Sequence, residues 1–297
     1  MKKFDYMKSF KVLLAVALVI IVAGAFVLGF LNFNKDVKYT KHYEIVVQAN
    51  DIGKAEETVK DTAEKVFRQE GVNPVYSEST NDNFEFTLVY LFRNDVSASV
   101  VESLQKEMDS AFQQTTVEVK VEKNYAEGYF AFTEMWWALL AAGILLVVAF
   151  FYAAIRYKWA AAFAFLITSV FGAALTLALT ALVRVPVTPA YLAVLAAAFV
   201  FTMAMALYFM NTVKEDKKNV ANADATAAQL AAGAFREVFL KNLVTLIAFL
   251  VFVVAMLILG TMAVKFVALQ IVVAIVSAVF ASSLCGGFYA GLRKSKK

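Results

Sequence analysis

Any chemistry in this sequence has to come from a short roster of residues. There is one histidine, His42, and one cysteine, Cys285, in 297 positions. A zinc site needs clustered ligands and a nucleophile needs a base beside it; neither residue has a recognisable partner along the chain. The carboxylates Glu56, Glu57 and Asp61 fall on helix faces that read as solvated. The chemistry left for so apolar a chain is the passage of protons or ions, which calls for a group that changes charge at mid-bilayer depth. The stretch FVFTMAMALYFMNTVKEDKK, residues 199–218, is where that group would be sought, and its middle reads Met203, Ala204, Met205, Ala206. No Asp, Glu, Lys, Arg or His falls within 138–155, 159–183, 185–213, 242–264 or 266–292. Thr168, Thr176, Thr202, Thr245 and Gln270 can hydrogen-bond but do not titrate at physiological pH. The pattern predicts no catalytic residue, no cofactor and no metal ligand, so the protein is not expected to be an enzyme.

Composition dictates the elements that carry these residues. The chain is 61% hydrophobic and 18% charged, with 27 Phe, more apolar surface than a water-soluble domain can hide. Six stretches reach the length of about 20 apolar residues that a bilayer crossing needs: 10–31, 135–155, 159–182, 188–211, 240–260 and 264–289. The first follows Lys2, Lys3, Lys8 and Lys11, as a signal peptide would. Its apolar run is longer than the roughly 7–15 residues of such a peptide, and Leu31-Asn32-Phe33-Asn34 is no small-x-small cleavage site, which favours an uncleaved anchor. Lys and Arg flank the spans unevenly: the N-terminal lysines, Arg156, Lys158, Lys214, Lys217, Lys218, Arg236, Lys241 and the tail Arg293, Lys294, Lys296, Lys297 share one side, against Arg184 and Lys265 on the other. The positive-inside rule then puts both termini in the cytoplasm. The net charge of +4 follows from that orientation and makes no case for nucleic acid. Cys285, inside the last span, reads as a small packing residue, and His42 as a surface or strand-edge residue.

Residues 42–123 change period along their length. Tyr43–Gln48 reads as a strand, and Asp51 as the cap of a helix with Ala55, Val59, Thr62, Ala63, Val66 and Phe67 on one face, stopped by Gly71. Val72–Ser79 and Phe84–Phe92 read as a hairpin turning at Asn81-Asp82-Asn83. In its second strand Phe84, Phe86, Leu88, Tyr90 and Phe92 share one face. Ser99 with Glu102 matches a capping box for a helix through Leu104, Met108 and Phe112, and Thr116–Glu122 alternates like a half-buried strand. The order β-α-β-β-α-β is that of a ferredoxin-like split βαβ domain, which names no function by itself. The predicted fold is thus a polytopic α-helical membrane protein of six spans with one extracytoplasmic α+β ferredoxin-like domain between the first and second. The division runs 1–31, cytoplasmic N-terminus and first span; 32–133, extracytoplasmic domain; 134–292, spans two to six with a cytoplasmic loop at 212–239; and 293–297, a basic tail. The segment KEDKKNVANADATAAQLAAGAFRE in that loop reads as a basic turn and an Ala-rich helix at the membrane surface, with Val220, Ala227, Leu230 and Phe235 facing lipid or the bundle.

This layout resembles the SecF subunit of the bacterial Sec protein-export machinery, a divergent member of the SecD/SecF family in the resistance-nodulation-division superfamily. FDYMKSFKVLL is similar to the family's start. GFLNFNKD is similar to its Gly-x-Asn-x-Gly-x-Asp junction, with Asp36 in the acidic place, but Lys38-Tyr39-Thr40-Lys41 replaces the Gly-Gly that follows, so that turn must be built differently. AAIRYKWAAAF resembles an Ile-Arg-Phe-x-Trp junction through Arg156 and Trp159; an ordinary interfacial anchor explains the same residues. In the fourth span the family has Tyr-Ser-x-Asn-Asp-Thr-x-Val-Val-Phe-Asp-Arg-x-Arg-Glu. Laid on FTMAMALYFMNTVKE, Thr202 stands for the Ser, Ala204 and Met205 for the Asn-Asp pair, Asn211 for the second Asp, and Lys214-Glu215 for the closing pair. In the fifth span Lys241-Asn242 stand for Arg-Thr and Thr245 is retained; SAVFASSLCGG in the sixth resembles Ser-x-Phe-x-Ala-Ser. Gly287 and Gly291 form a small-xxx-small pair that permits close helix approach.

The resemblance implies an auxiliary subunit of the bacterial cell membrane that works with a SecD-like subunit and the SecYEG channel on unfolded exported polypeptide, in contact with the lipid bilayer. The relay carboxylate is missing from Thr202, Ala204, Met205 and Asn211, so coupling to a gradient is expected to come from the partner. Two other readings stand beside it: a stand-alone or dimeric transporter of small molecules or lipids, and a membrane-anchored scaffold.

Overall fold

The computed structural model describes residues 6–50, 55–82, 85–129, 136–219 and 225–294. Asp51, Asn83, Phe84, Val220 and the lysines at 2, 3, 296 and 297 lie outside them. In chain order the elements are α1 (Tyr6–Leu31), β1 (His42–Ala49), α2 (Ala55–Gln69), β2 (Tyr76–Asp82), β3 (Glu85–Phe92), α3 (Ala98–Phe112), β4 (Val119–Ala126), α4 (Trp136–Tyr157), α5 (Trp159–Val183), α6 (Tyr191–Lys218), α7 (Ala227–Leu259) and α8 (Met262–Lys294). The chain divides into two compact units: Lys35–Phe130, and Met1–Asn34 with Ala131–Lys297.

The first unit is a four-stranded sheet in the order β2-β3-β1-β4 with every neighbouring pair antiparallel. That order and pairing are what a split βαβ arrangement requires. The register sets Ile45 opposite Tyr90, Val47 opposite Leu88 and Ala49 opposite Phe86, so the alternating residues share a face. Val59, Ala63 and Phe67 of α2 and Leu104 and Met108 of α3 close over that face in one core. The beginning of the free edge of β4 is occupied by Gln105 of α3, whose Nε2 donates to the Val119 carbonyl at 2.9 Å and whose Oε1 accepts from the Val121 N–H at 2.8 Å. Edge groups bonded in this way are not open to another strand.

Four local expectations are corrected here. His42 is buried at the start of the central strand β1, not at an edge; its Nδ1 lies 2.7 Å from the Thr40 carbonyl and its Nε2 2.9 Å from Glu44 Oε1. Asn81 and Asp82 are paired with Phe86 and Glu85 inside the hairpin, because β2 begins at Tyr76 and not at Val72. The box at Ser99 and Glu102 does not form: Ser97 is the N-cap of α3, without a side-chain bond to the backbone. Strand β4 runs Val119–Ala126, three residues later than its alternation begins, because Gln105 and β1 fix its register.

Among the described residues six helices are long and apolar enough to cross a membrane, and the protein is a multi-pass membrane protein. Helices α5, α6 and α8 pack on one another at the centre; α1 lies on α5 and α8, α4 on α5 and α6, and α7 on α6 and α8. Contact is close where side chains are smallest. A Cβ on Gly24 of α1 would stand 2.4 Å from Ala178 Cα, and one on Gly172 of α5 would stand 2.5 Å from Thr202 Oγ1. Gly287 packs on Phe10 of the same chain, whereas a Cβ on Gly291 would meet nothing within 4 Å, so within the bundle only the first glycine of the small pair in α8 serves packing. Hydroxyls close on their own helix: Thr168, Ser169, Thr176 and Thr180 each donate to the carbonyl four residues back. A helix surface so satisfied can approach its neighbour without stranding a donor.

The Ala-rich segment does not lie on the surface as a separate helix. It is the beginning of α7, and Leu230, Ala231 and Ala234 are buried in the main core. Thr226 and Gln229 cap it reciprocally, which is why the helix starts there and not at the membrane. At 33 residues each, α7 and α8 run about 50 Å, far beyond the roughly 30 Å hydrocarbon layer.

At the opposite end, α1 and α5 both finish on left-handed residues, Asn32 and Arg184. The Arg184 guanidinium donates to the Asn32 carbonyl at 2.6 Å, Asn34 Nδ2 donates to the Arg184 carbonyl at 2.7 Å, and the Val187 N–H donates to the Asn34 carbonyl at 2.7 Å. A cation on the last carbonyls of α1 suits the negative end of its dipole.

Candidate functional site

The residues at which the fourth span would carry its relay lie on different faces of α6. Thr202 is buried against Gly172, with its Oγ1 donating to the Ala198 carbonyl at 2.8 Å. Ala204 is exposed on the outside of the helix. Met205 points inward and packs on Ile275 and Val279 of α8. The thioether is the group that occupies this position in the interior, and it neither gains nor loses charge with pH. Asn211, two turns further, stands at the basic end of the bundle and not in its middle.

There it meets the α4–α5 junction. Asn211 Oδ1 accepts from Arg156 Nη2 and from the Tyr157 hydroxyl, each at 3.4 Å, and its Nδ2 donates to Glu215 Oε1 at 2.7 Å. Lys214 Nζ donates to the Arg156 carbonyl at 3.1 Å. Two motifs 55 residues apart thus join in one polar network. Trp159 is exposed and stands beside Phe150 and Phe163 without entering it.

The fifth-span residues divide in the same way. Lys241 is exposed, bonded to Glu237 Oε1 at 2.6 Å and to the Tyr208 hydroxyl of α6, and lies over the Tyr208 ring. Asn242 is buried, and its Nδ2 donates to Ser282 Oγ of α8 at 3.0 Å, so the family-like segments of the fifth and sixth spans are in contact. Thr245 Oγ1 returns to the Lys241 carbonyl at 3.0 Å. Tyr208 and Glu237 are members the sequence reading missed. Glu237 was signalled by its position four residues before Lys241; Tyr208 had no local signal.

Asp36 belongs to the sheet unit. It caps the short 3-10 turn Val37–Tyr39, accepting from the Lys38 N–H at 3.3 Å and from the Tyr76 hydroxyl at 3.1 Å. This is how the chain turns without the Gly-Gly pair. The glycine the turn needs lies elsewhere: Gly128 takes φ +61°, and a Cβ on it would strike the Thr40 carbonyl at 2.2 Å. Asp36 is 2% exposed, and its Oδ2 has no hydrogen-bond partner among the described residues. Burial raises its pKa above the ordinary carboxylate value, ahead of the opposing pull of the Lys38 N–H and the Tyr76 hydroxyl. Among the described residues no three of His, Cys, Asp and Glu stand close enough to hold a metal.

A six-helix membrane bundle with a small antiparallel sheet unit after its first helix is the class that these features define. Residues 100–287 match the family model described as protein export membrane protein SecD/SecF, C-terminal, and the chain belongs to that family. Two solved structures share the fold. The crystal structure of SecDF in super-membrane-facing form aligns with a TM-score of 0.72 at 14% identity, over 100% of this chain and 39% of that one. The crystal structure of SecDF, a translocon-associated membrane protein from Thermus thermophilus, aligns with a TM-score of 0.59 at 18% identity, over 99% and 39%. The chain thus spans 39% of the length of these structures. No curated protein matches it.

Proposed function

We propose that the chain is a SecF-like auxiliary subunit of the protein-export machinery. It would stand in the bacterial cell membrane with both termini cytoplasmic, beside a SecD-like subunit and the SecYEG channel. Family membership supports the export role, and the gathering of Arg156, Lys158, Lys214, Lys217 and Arg293 at one end of the bundle supports the orientation. One observation carries the auxiliary assignment: Met205, at the relay position of the family's fourth span, is packed on Ile275 and Val279, and no charged side chain replaces it within 185–213. A charge at mid-bilayer costs on the order of 3 kcal/mol on insertion scales. A subunit that does not carry protons has no use for one. The partner then supplies the group that titrates, and the sheet unit acts on emerging polypeptide by displacement and not by bond chemistry.

The test is affinity purification from the native membrane. Recovery of a SecD-like protein with the channel supports this reading; recovery of the chain by itself favours a transporter or a scaffold. Proton or sodium movement coupled to substrate in vesicles holding the purified chain alone would sink it.

A further inference from the structure

Between the ends of α4, α6 and α8 and the start of α5 lies an open cleft of about 800 Å³, a size that suits a small ligand. Its floor is small and apolar, formed by Ala154, Ala161, Met210 and Val213. Its rim carries six cations: Arg156, Lys158, Lys214, Lys217, Lys218 and Arg293. Among the described residues no carboxylate lines it. None of the six makes an ion pair with a carboxylate within 4.0 Å among the described residues. Their bonds go to neutral acceptors: Arg156 to the Tyr157 hydroxyl and the Asn211 amide oxygen, Lys214 to the Arg156 carbonyl, and Arg293 to the Tyr289 hydroxyl at 2.7 Å. The acids of the same turn are aimed elsewhere, Glu215 at Asn211 and Asp216 toward Gly233 of α7.

The cleft also holds the start of α5. Lys158 is its N-cap at φ +78°, with no side-chain cap on the first turn, so the positive end of a 25-residue helix opens among the six cations. Like charges held this close repel, and an anion between them relieves that repulsion. Tyr157, Trp159 and Tyr289 stand around the same opening, and aromatic rings of this kind settle at the height of lipid headgroups. The apolar floor behind the cations suits a glycerol backbone or the root of an acyl chain.

We infer that this cleft binds the phosphate headgroup of an acidic membrane phospholipid, and that a lipid bearing two phosphates fills it better than one bearing a single phosphate. The shared chemistry is a phosphate oxyanion met by ammonium, guanidinium and helix N–H groups. Basic pockets between membrane helices on the cytoplasmic side take such headgroups.

The test uses the full chain in neutral detergent, with Trp136→Phe and Trp137→Phe so that Trp159 alone reports. Its fluorescence is followed as cardiolipin, phosphatidylcholine or inorganic pyrophosphate is added. Cardiolipin is expected to give a saturable change that phosphatidylcholine does not. Combining Lys214→Gln, Lys217→Gln and Arg293→Gln raises the half-saturating lipid about tenfold or more, given the contribution of each basic residue at an acidic surface. The charge-matched Lys60→Gln, Lys65→Gln, Lys106→Gln chain leaves it unchanged. Native mass spectrometry of the unmutated chain, showing retained two-phosphate lipid, checks the inference without a variant. A saturable response to pyrophosphate but not to cardiolipin overturns the lipid assignment and gives the site to a soluble phosphate anion. No saturable response to either, or identical curves for the site variant and the unmutated chain, overturns the inference.

Discussion

In the sheet unit the side chains that meet are large: Phe86, Leu88, Tyr90 and Phe92 close against Phe67, Leu104 and Met108. In the helical unit large side chains such as Phe165 and Phe209 are buried too, but the closest helix approaches are made by small ones, with Gly24 against Ala178 and Gly172 against Thr202. Charges differ as sharply. The sheet unit sets exposed pairs such as Lys65 with Glu107 at 3.1 Å, each worth little in water. The helical unit sends its charges to the ends and returns its hydroxyls to its own backbone. The difference follows from solvent. Water drives large apolar groups together, whereas lipid gives two apolar helices no such drive, so close approach and satisfied backbone must do it.

Phe86→Ala should have the largest effect, about 3–5 kcal/mol, read as faster hydrogen exchange of the β1 and β3 amides in the intact chain. A loss below about 1 kcal/mol would break the contrast, since it would mean that bulk matters little in the sheet unit. Gly24→Leu should cost about 1–3 kcal/mol through overpacking against Ala178, lowering the thermal midpoint followed by size-exclusion chromatography. Gly29→Leu, which meets nothing within 4 Å, should leave it unchanged; equal losses at the two glycines refute the account of small-residue packing. Removing the Asn242–Ser282 bond should cost only about 0.6 kcal/mol, the usual size of a hydrogen bond between membrane helices. A double-mutant cycle of Asn242→Ala and Ser282→Ala measures it.

The smallest effect is one of pH. The Asp36 carboxyl titrates above its unfolded value because it is buried. Its contribution to stability is therefore fully present below the unfolded value of about pH 3.9 and is lost as pH rises through the folded value. Asp36→Asn should remove that slope while keeping an acceptor for the Lys38 N–H and the Tyr76 hydroxyl. Urea midpoints of the sheet unit taken between about pH 4 and pH 7 decide it, and an unchanged slope in the variant assigns the effect to another group.

What can be read from sequence is what a single element announces. The six spans follow from length and composition, and the strands and helices of residues 42–126 follow from period. Their ends are harder. Asn81, Asp82 and Asn83 all favour turns, and only the pairing of β2 with β3 decides that the first two stay in the strand. Ser99 and Glu102 have the spacing of a capping box, yet the N-cap falls on Ser97 and the helix starts at Ala98. The burial of His42 depends on two strands that flank β1 from far along the chain. At the site, Arg156, Asn211, Lys241 and Asn242 stand out as polar residues in apolar surroundings. That Arg156 meets Asn211 and Asn242 meets Ser282 is not legible, because a helix apolar on every side has no period to say which face touches which neighbour.

The left-handed ends of α1 and α5 have a mechanical consequence. The hydrogen bonds among Asn32, Asn34, Arg184 and Val187 fasten the outgoing strand to the turn that follows α5. A tug on the polypeptide past Asn34 is therefore shared by two helices at once and does not unravel the last coil of one. The end of the first span is thereby held by a second helix of the bundle as well as by its own last turn.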